Sequence, residues 1–167
     1  MIVVVAGVSG SGKTTVGTLL AARLGWTFAD GDGFHPAANV ARMRAGLPLT
    51  DADREPWLAA LTAWMDQQTA AGQSAVLACS ALRRAYRDRI RAGAPGVRFV
   101  FLDGPAELIR ARMSGRRGHY MPESLLASQL ATLEPPGVDE DDVHRLQIAL
   151  PAAEVIAAAV RNLRAPG

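Results

Sequence analysis

The chain has 167 residues, 49% hydrophobic and 20% charged, with a formal net charge of +2. That composition fits a globular protein with room for a real core, and so small a positive excess argues against nucleic acid. No apolar run approaches the ~20 residues that span a bilayer. His35, His119 and His144 lack metal-ligand spacing, and the lone Cys79 excludes an intrachain disulfide. With a first strand starting at residue 2, no signal peptide is expected, and a reducing cytoplasm is.

Ile2–Ala6 is a β-branched run and predicts the first strand. It leads into Gly7-Val8-Ser9-Gly10-Ser11-Gly12-Lys13-Thr14, which fits the P-loop pattern G-x-x-x-x-G-K-S/T. Lys13 is the only lysine; all other Lys/Arg positions are arginine. A P-loop needs a slender single-point ammonium that reaches the β- and γ-phosphates, and a forked guanidinium replaces it poorly. Val16, Leu19, Leu20 and Leu24 recur at helical spacing, so a helix is predicted over Lys13–Leu24, with Gly25 as its stop. Strand, glycine loop and helix are the context the motif requires. The loop turns its amide N–H groups onto phosphate, and the helix N-terminus adds partial positive charge. Gly7 through Thr15 are therefore expected to bind ATP, with the Thr14 hydroxyl offered to Mg²⁺.

Further strands are predicted at Trp26–Ala29, Ala75–Cys79, Val97–Leu102 and Val143–Ile148. Helices are expected at Ala38–Ala45, within Asp51–Ala71, and at Arg83–Arg91, Ala106–Ser114, Glu123–Leu133 and Ala152–Leu163. This alternation predicts an α/β fold of three layers, a five-stranded parallel sheet flanked by helices, as one domain over residues 1–167. In the long helix Trp57, Leu58, Leu61, Trp64 and Met65 form a core stripe, while Pro56 blurs its start because proline is comfortable only in a first turn.

Ligands of open α/β sheets bind at the carboxyl ends of strands. The second predicted strand is followed by Asp30-Gly31-Asp32-Gly33-Phe34-His35-Pro36. Phosphoryl transfer needs one group to orient or deprotonate the attacking hydroxyl and others to hold the metal. Asp32 is the expected base and Asp30 the metal-shell residue; alone, the pair would read as a solvated Asp-Gly turn. No Walker-B pattern is visible, since the third strand ends in Cys79-Ser80. Arg83, Arg84, Arg87, Arg89 and Arg91 crowd one helix whose buried side is Leu82, Tyr86 and Ile90. They read as a mostly solvated face with pairs such as Arg84–Asp88, Arg83 alone being admitted to the site.

Several strings together resemble the gluconokinase family: Asp30-Gly31-Asp32 with His35-Pro36, Asp53-Arg54 with Pro56-Trp57-Leu58, Cys79-Ser80-Ala81-Leu82, Gly118-His119-Tyr120-Met121, Ser128-Gln129 and Leu133-Glu134-Pro135. The resemblance runs from Gly7 to about Pro136, with Tyr120, Arg42 and Arg83 as mild departures. It implies ATP-dependent phosphorylation of D-gluconate at its 6-hydroxyl. It also implies the fold of nucleoside-monophosphate and shikimate kinases, and a homodimer. A linear polyhydroxy acid asks for an arginine and several neutral partners. Arg54 is the choice for the carboxylate, an ion pair with Asp51 or Asp53 being the alternative. His35, Ser80, Arg83 and Gln129 are the candidates for hydroxyls, beside Asp32. Cys79 reads as a packed thiol, because in-line transfer needs no covalent intermediate. By the same resemblance a lid at about residues 115–122 closes over ATP, with Arg112 on adenine and Arg116 on the phosphates in a catalytic role beside Lys13 and Asp32. A helix end carrying positive charge is the plainer reading of that segment.

Overall fold

The computed structural model describes residues 1–114 and 123–164. Five strands form one parallel sheet: β1 (Ile2–Ala6), β2 (Thr27–Asp30), β3 (Ala75–Ala78), β4 (Arg98–Asp103) and β5 (Val143–Gln147), in the spatial order β2-β3-β1-β4-β5. Seven α-helices are seen among the described residues: α1 (Lys13–Leu24), α2 (Ala37–Arg44), α3 (Asp51–Ala70), α4 (Arg84–Gly93), α5 (Ala106–Ser114), α6 (Glu123–Thr132) and α7 (Ala152–Arg164). Among the described residues, no helix is long and apolar enough to cross a membrane.

All of β1 is buried, as a parallel strand covered on both faces must be. Its period of two sorts the core into two layers. Ile2, Val4 and Ala6 pack with Trp57, Leu58, Leu61 and Met65 of α3 and Tyr86 and Ile90 of α4. Val3 and Val5 pack with Val16 and Leu20 of α1 and Val155, Ala159 and Leu163 of α7. Strand β1 lies between β3 and β4. Its carboxyl end is therefore where successive crossovers part to either side, and where a crevice opens.

Most predicted boundaries fall within a residue or so of those seen, and the differences have local causes. Trp26 is not in β2, because Gly25 adopts a left-handed cap (φ 70°) and the Trp26 N–H donates to the Ala21 carbonyl, absorbing it into the end of α1. Pro56 does not delay α3. Thr50 and Asp53 form a reciprocal capping box that starts the helix at Asp51, so Pro56 lies in its second turn, where it removes one backbone donor.

The arginines of α4 are the larger correction. Arg87 is fully buried rather than solvated. Its Nε and Nη2 donate to both oxygens of Glu140, each at 2.7 Å, and its Nη1 donates to the Ala81 and Glu134 carbonyls at 3.2 and 3.1 Å. Arg91 adds a bond to Glu140 at 2.8 Å and pairs with Asp142. These bonds, those from Arg87 first, hold the Glu140 carboxyl down at about 2. Arg84 does approach Asp88, at 3.8 Å, but meets Asp139 at 2.6 Å. Thus Arg87 and Arg91 clamp the loop before β5, while Arg84 and Arg89 remain exposed as the sequence predicts. Glu140→Gln should leave a buried guanidinium half-paired and cost ~3–5 kcal/mol in urea unfolding at neutral pH. Glu140 adds stability above its ordinary pKa of 4.5 and loses it as pH falls to about 2. The variant's deficit should therefore shrink across that window.

Candidate active site

The crevice at the end of β1 is walled by the P-loop and the acidic turn after β2. Gly12 caps α1 in a left-handed conformation (φ 99°), which frees the loop to fold over the helix N-terminus. Lys13 Nζ donates to the Val8 carbonyl at 3.0 Å, across its own loop. The Ser9 N–H donates to Gln129 Oε1 at 2.7 Å, tying the loop to α6, and the Gly7 N–H donates to the Ser80 carbonyl at 3.3 Å.

The acidic turn is a short 3-10 segment, Gly31–Phe34. Asp30 caps it by accepting from the Asp32 N–H at 3.1 Å. Gly31 sits so close to β3 that a Cβ would lie 2.6 Å from the Ala78 carbonyl oxygen. Trp57, fully buried, donates from Nε1 to the Gly31 carbonyl at 2.8 Å. The other oxygen of Asp30 accepts from the Thr14 hydroxyl at 2.8 Å. The expected metal pair is thus in direct contact. Among the described residues, no group of three His, Cys, Asp or Glu could hold a metal on its own. One carboxylate beside one hydroxyl suits Mg²⁺, which retains waters and takes its other ligands from phosphates.

Asp32 lines the adjoining cleft with Ser9, Lys13, His35, Arg54, Ser80 and Gln129. It lies exposed at the open mouth, yet crowding by the cleft walls raises its pKa above the ordinary carboxylate value, against the pull of Lys13 and with the help of Asp30. His35 stacks on Trp57, with ring centroids 4.6 Å apart and planes 8° apart. Burial first, then the neighbouring Arg54 charge, lowers its pKa to about 4. Among the described residues, the buried Nδ1 of His35 and the buried Nε of Arg54 have no hydrogen-bond partner. Neither Asp51 nor Asp53 holds Arg54: Asp53 closes the capping box, and Asp51 accepts from Arg83 and Tyr86. Arg83 is the predicted substrate residue that the structure turns elsewhere. Its guanidinium reaches both Asp51 oxygens, at 2.9 and 2.7 Å, and does not line the cleft.

On the other side of the P-loop a cavity of about 280 Å³ is lined by Gly10, Ser11, Gly12, Thr15, Arg112, Ile148 and Leu150, among others. Arg112, expected to lie on adenine, lines this cavity, its guanidinium donating to the Ile148 carbonyl. Ile148 and Leu150 were missed, because they belong to the segment least like the family and carry only apolar side chains. Met43, Pro48 and Leu49 also line the cleft that holds Asp32 and were not among the expected site residues, since they too carry largely apolar side chains. Cys79 is buried, and burial pushes its thiol up to about 12, so it packs as expected. Arg116 and the proposed lid at 115–122 lie outside the described residues.

A strand–P-loop–helix unit, a parallel sheet in this order and an acidic turn joined to the P-loop threonine define a P-loop kinase. A family described as an AAA domain matches residues 2–136. The gluconokinase of Gluconobacter oxydans is 56% identical over 137 residues, which are 82% of this chain and 77% of that protein. A sugar kinase structure from Janibacter sp. HTCC2649 superposes with a TM-score of 0.92 at 52% identity, covering 97% of this chain and 93% of that one. A gluconokinase structure from Sinorhizobium meliloti 1021 gives 0.87 at 45% identity, covering 96% and 90%. The chain belongs to the gluconokinase family of P-loop kinases.

The imidazole of His35 ordinarily titrates at 6.5 and here near about 4, so its neutral form favours the fold. That stability is present above pH 6.5 and is lost as pH falls through about 4. In an NMR titration the His35 ring should stay neutral at pH 5.5; an ordinary midpoint near 6.5 would contradict its burial beside Arg54.

Proposed function

We propose that the protein transfers the γ-phosphoryl group of ATP to the 6-hydroxyl of D-gluconate, giving 6-phosphogluconate and ADP. Relatives named gluconokinase support the acceptor. The observation that carries the chemistry is the contact of Thr14 with Asp30, which sets Asp32 and Lys13 on one cleft with the unpaired Arg54.

Each residue follows from its place. The amides from Gly7 to Thr15 cradle the phosphates, and Lys13 leaves the Val8 carbonyl to meet the β- and γ-oxygens. Thr14 and Asp30 would hold Mg²⁺, which would neutralise charge on the phosphate oxygens when bound. Asp32 accepts the 6-hydroxyl proton as the oxygen attacks phosphorus, and its raised pKa makes it more basic than a free carboxylate. Arg54 grips the far carboxylate with a fork that no acid among the described residues holds in an ion pair. Neutral His35, with Ser80 and Gln129, bonds hydroxyls without attracting a second anion. Arg112 stacks on the adenine ring. Arg116 is proposed, on sequence grounds, to reach the phosphates from a lid at 115–122 that excludes water. The family resemblance also implies a homodimer. The unpaired thiol of Cys79 suits a cytoplasmic setting, and the small positive charge offers no reason for a nucleic-acid partner.

Asp32→Asn should keep ATP affinity and lower kcat by ~100-fold or more, the scale of general-base catalysis. An ADP-release assay across gluconate, shikimate, nucleoside monophosphates and water measures both points. Retained transfer would remove Asp32 as the base, and a preference for another acceptor would remove gluconate.

A further inference from the structure

We propose that Tyr86 is a positioning residue that aims Arg54 at the acceptor's carboxylate and thereby sets the preference for an acid over an uncharged polyol. The proposal rests on the role given to Arg54 above. Tyr86 sits on α4, buried, and does not line the cleft. Its ring lies beneath the Arg54 guanidinium, 5.5 Å from carbon Cζ to centroid. The ring is itself fixed. Its hydroxyl donates to Asp51 Oδ1, and Arg83 donates to both oxygens of the same carboxylate. Asp51 and Arg54 stand three residues apart in the first turns of α3, so one face of that helix carries both the anchor and the aimed group.

The choice of an aromatic face has a chemical reason. A carboxylate partner would hold an arginine firmly but neutralise it and occupy its donors. A ring face attracts the cation through its quadrupole and leaves the N–H edge free for a bidentate anion. The buried Nε of Arg54 has no hydrogen-bond partner, as a fork held for a ligand requires. The nearby acids are engaged elsewhere, Asp51 by Arg83 and Tyr86, the Asp53 carboxylate by the N–H and hydroxyl of Thr50.

The test compares Arg54→Met, Tyr86→Leu and Tyr86→Phe in steady-state kinetics. It measures KM for D-gluconate, KM for ATP, and the inhibition constant of D-glucitol, a polyol of the same length with no carboxylate. Tyr86→Leu should raise gluconate KM by ~3- to 30-fold, with ATP KM and the glucitol constant changing by less than about twofold. Tyr86→Phe keeps the ring and loosens only its anchor, so gluconate KM should rise by about two- to fivefold. Equal weakening of gluconate and glucitol by Tyr86→Leu, or no change in gluconate KM, would overturn the positioning role. Arg54→Met separates the two failures. If it leaves gluconate KM unchanged, the carboxylate assignment falls and the proposal with it; if it raises KM while the Tyr86 variants do not, only the proposal falls. Should Tyr86→Leu fail to fold, Tyr86→Phe decides by the same gluconate-to-glucitol comparison.

Discussion

One hydrogen bond joins the two halves of the chemistry. The Thr14 hydroxyl, one residue past the P-loop lysine, donates to Asp30 at the end of β2. The phosphate cradle and the acidic turn are not neighbours in the sheet order, because β3 separates β1 from β2, and this contact joins them into one site. Gly31 permits the approach, since any side chain there would strike the backbone of β3. Trp57 then holds the turn from beneath through its bond to the Gly31 carbonyl. A surface bond of this kind contributes little to global stability. Its importance is geometric, since a displacement of an ångström between metal shell and base costs far more in rate than in folding.

The acceptor side is built on a different principle. There the site keeps its charges few and unspent. His35 is neutral because burial and Arg54 both oppose its proton. Arg54 is charged but unpaired, steadied by the face of Tyr86 instead of by an acid. A linear sugar acid presents one anion and a row of hydroxyls, and this cleft offers one free fork and several neutral partners. A phosphate-bearing acceptor would ask for more cations than the described residues of the cleft supply.

The frame was legible in the sequence because its signals are local. The β-branched run of Ile2–Ala6, the glycines after it and the apolar spacing from Val16 to Leu24 each follow from backbone sterics and periodicity. Legible too was the coupling of Asp30 and Asp32 to the P-loop, since topology places the ends of parallel strands on one edge. What escaped depends on contacts distant in the chain. Arg87 carries the same sequence signal as its exposed neighbours; only Glu140, fifty-three residues on, makes it a core residue. Arg83 looked free because its partner Asp51 lies on another helix. Ile148 and Leu150 carry no chemical signature, and become a cavity wall only when β5 pairs with β4. The role of Tyr86 was invisible for the same reason, for its helical spacing marks it as core whether or not it supports a cation.

The most direct test of the account is a crystal structure of the protein with D-gluconate and a non-hydrolysable ATP analogue. The account predicts the acceptor's carboxylate on Arg54 and its 6-hydroxyl within ~3 Å of Asp32, in line with the γ-phosphorus. A sugar acid bound in the reverse sense, or an Asp32 carboxylate directed away from the acceptor hydroxyl while the nucleotide fills the P-loop, would contradict it.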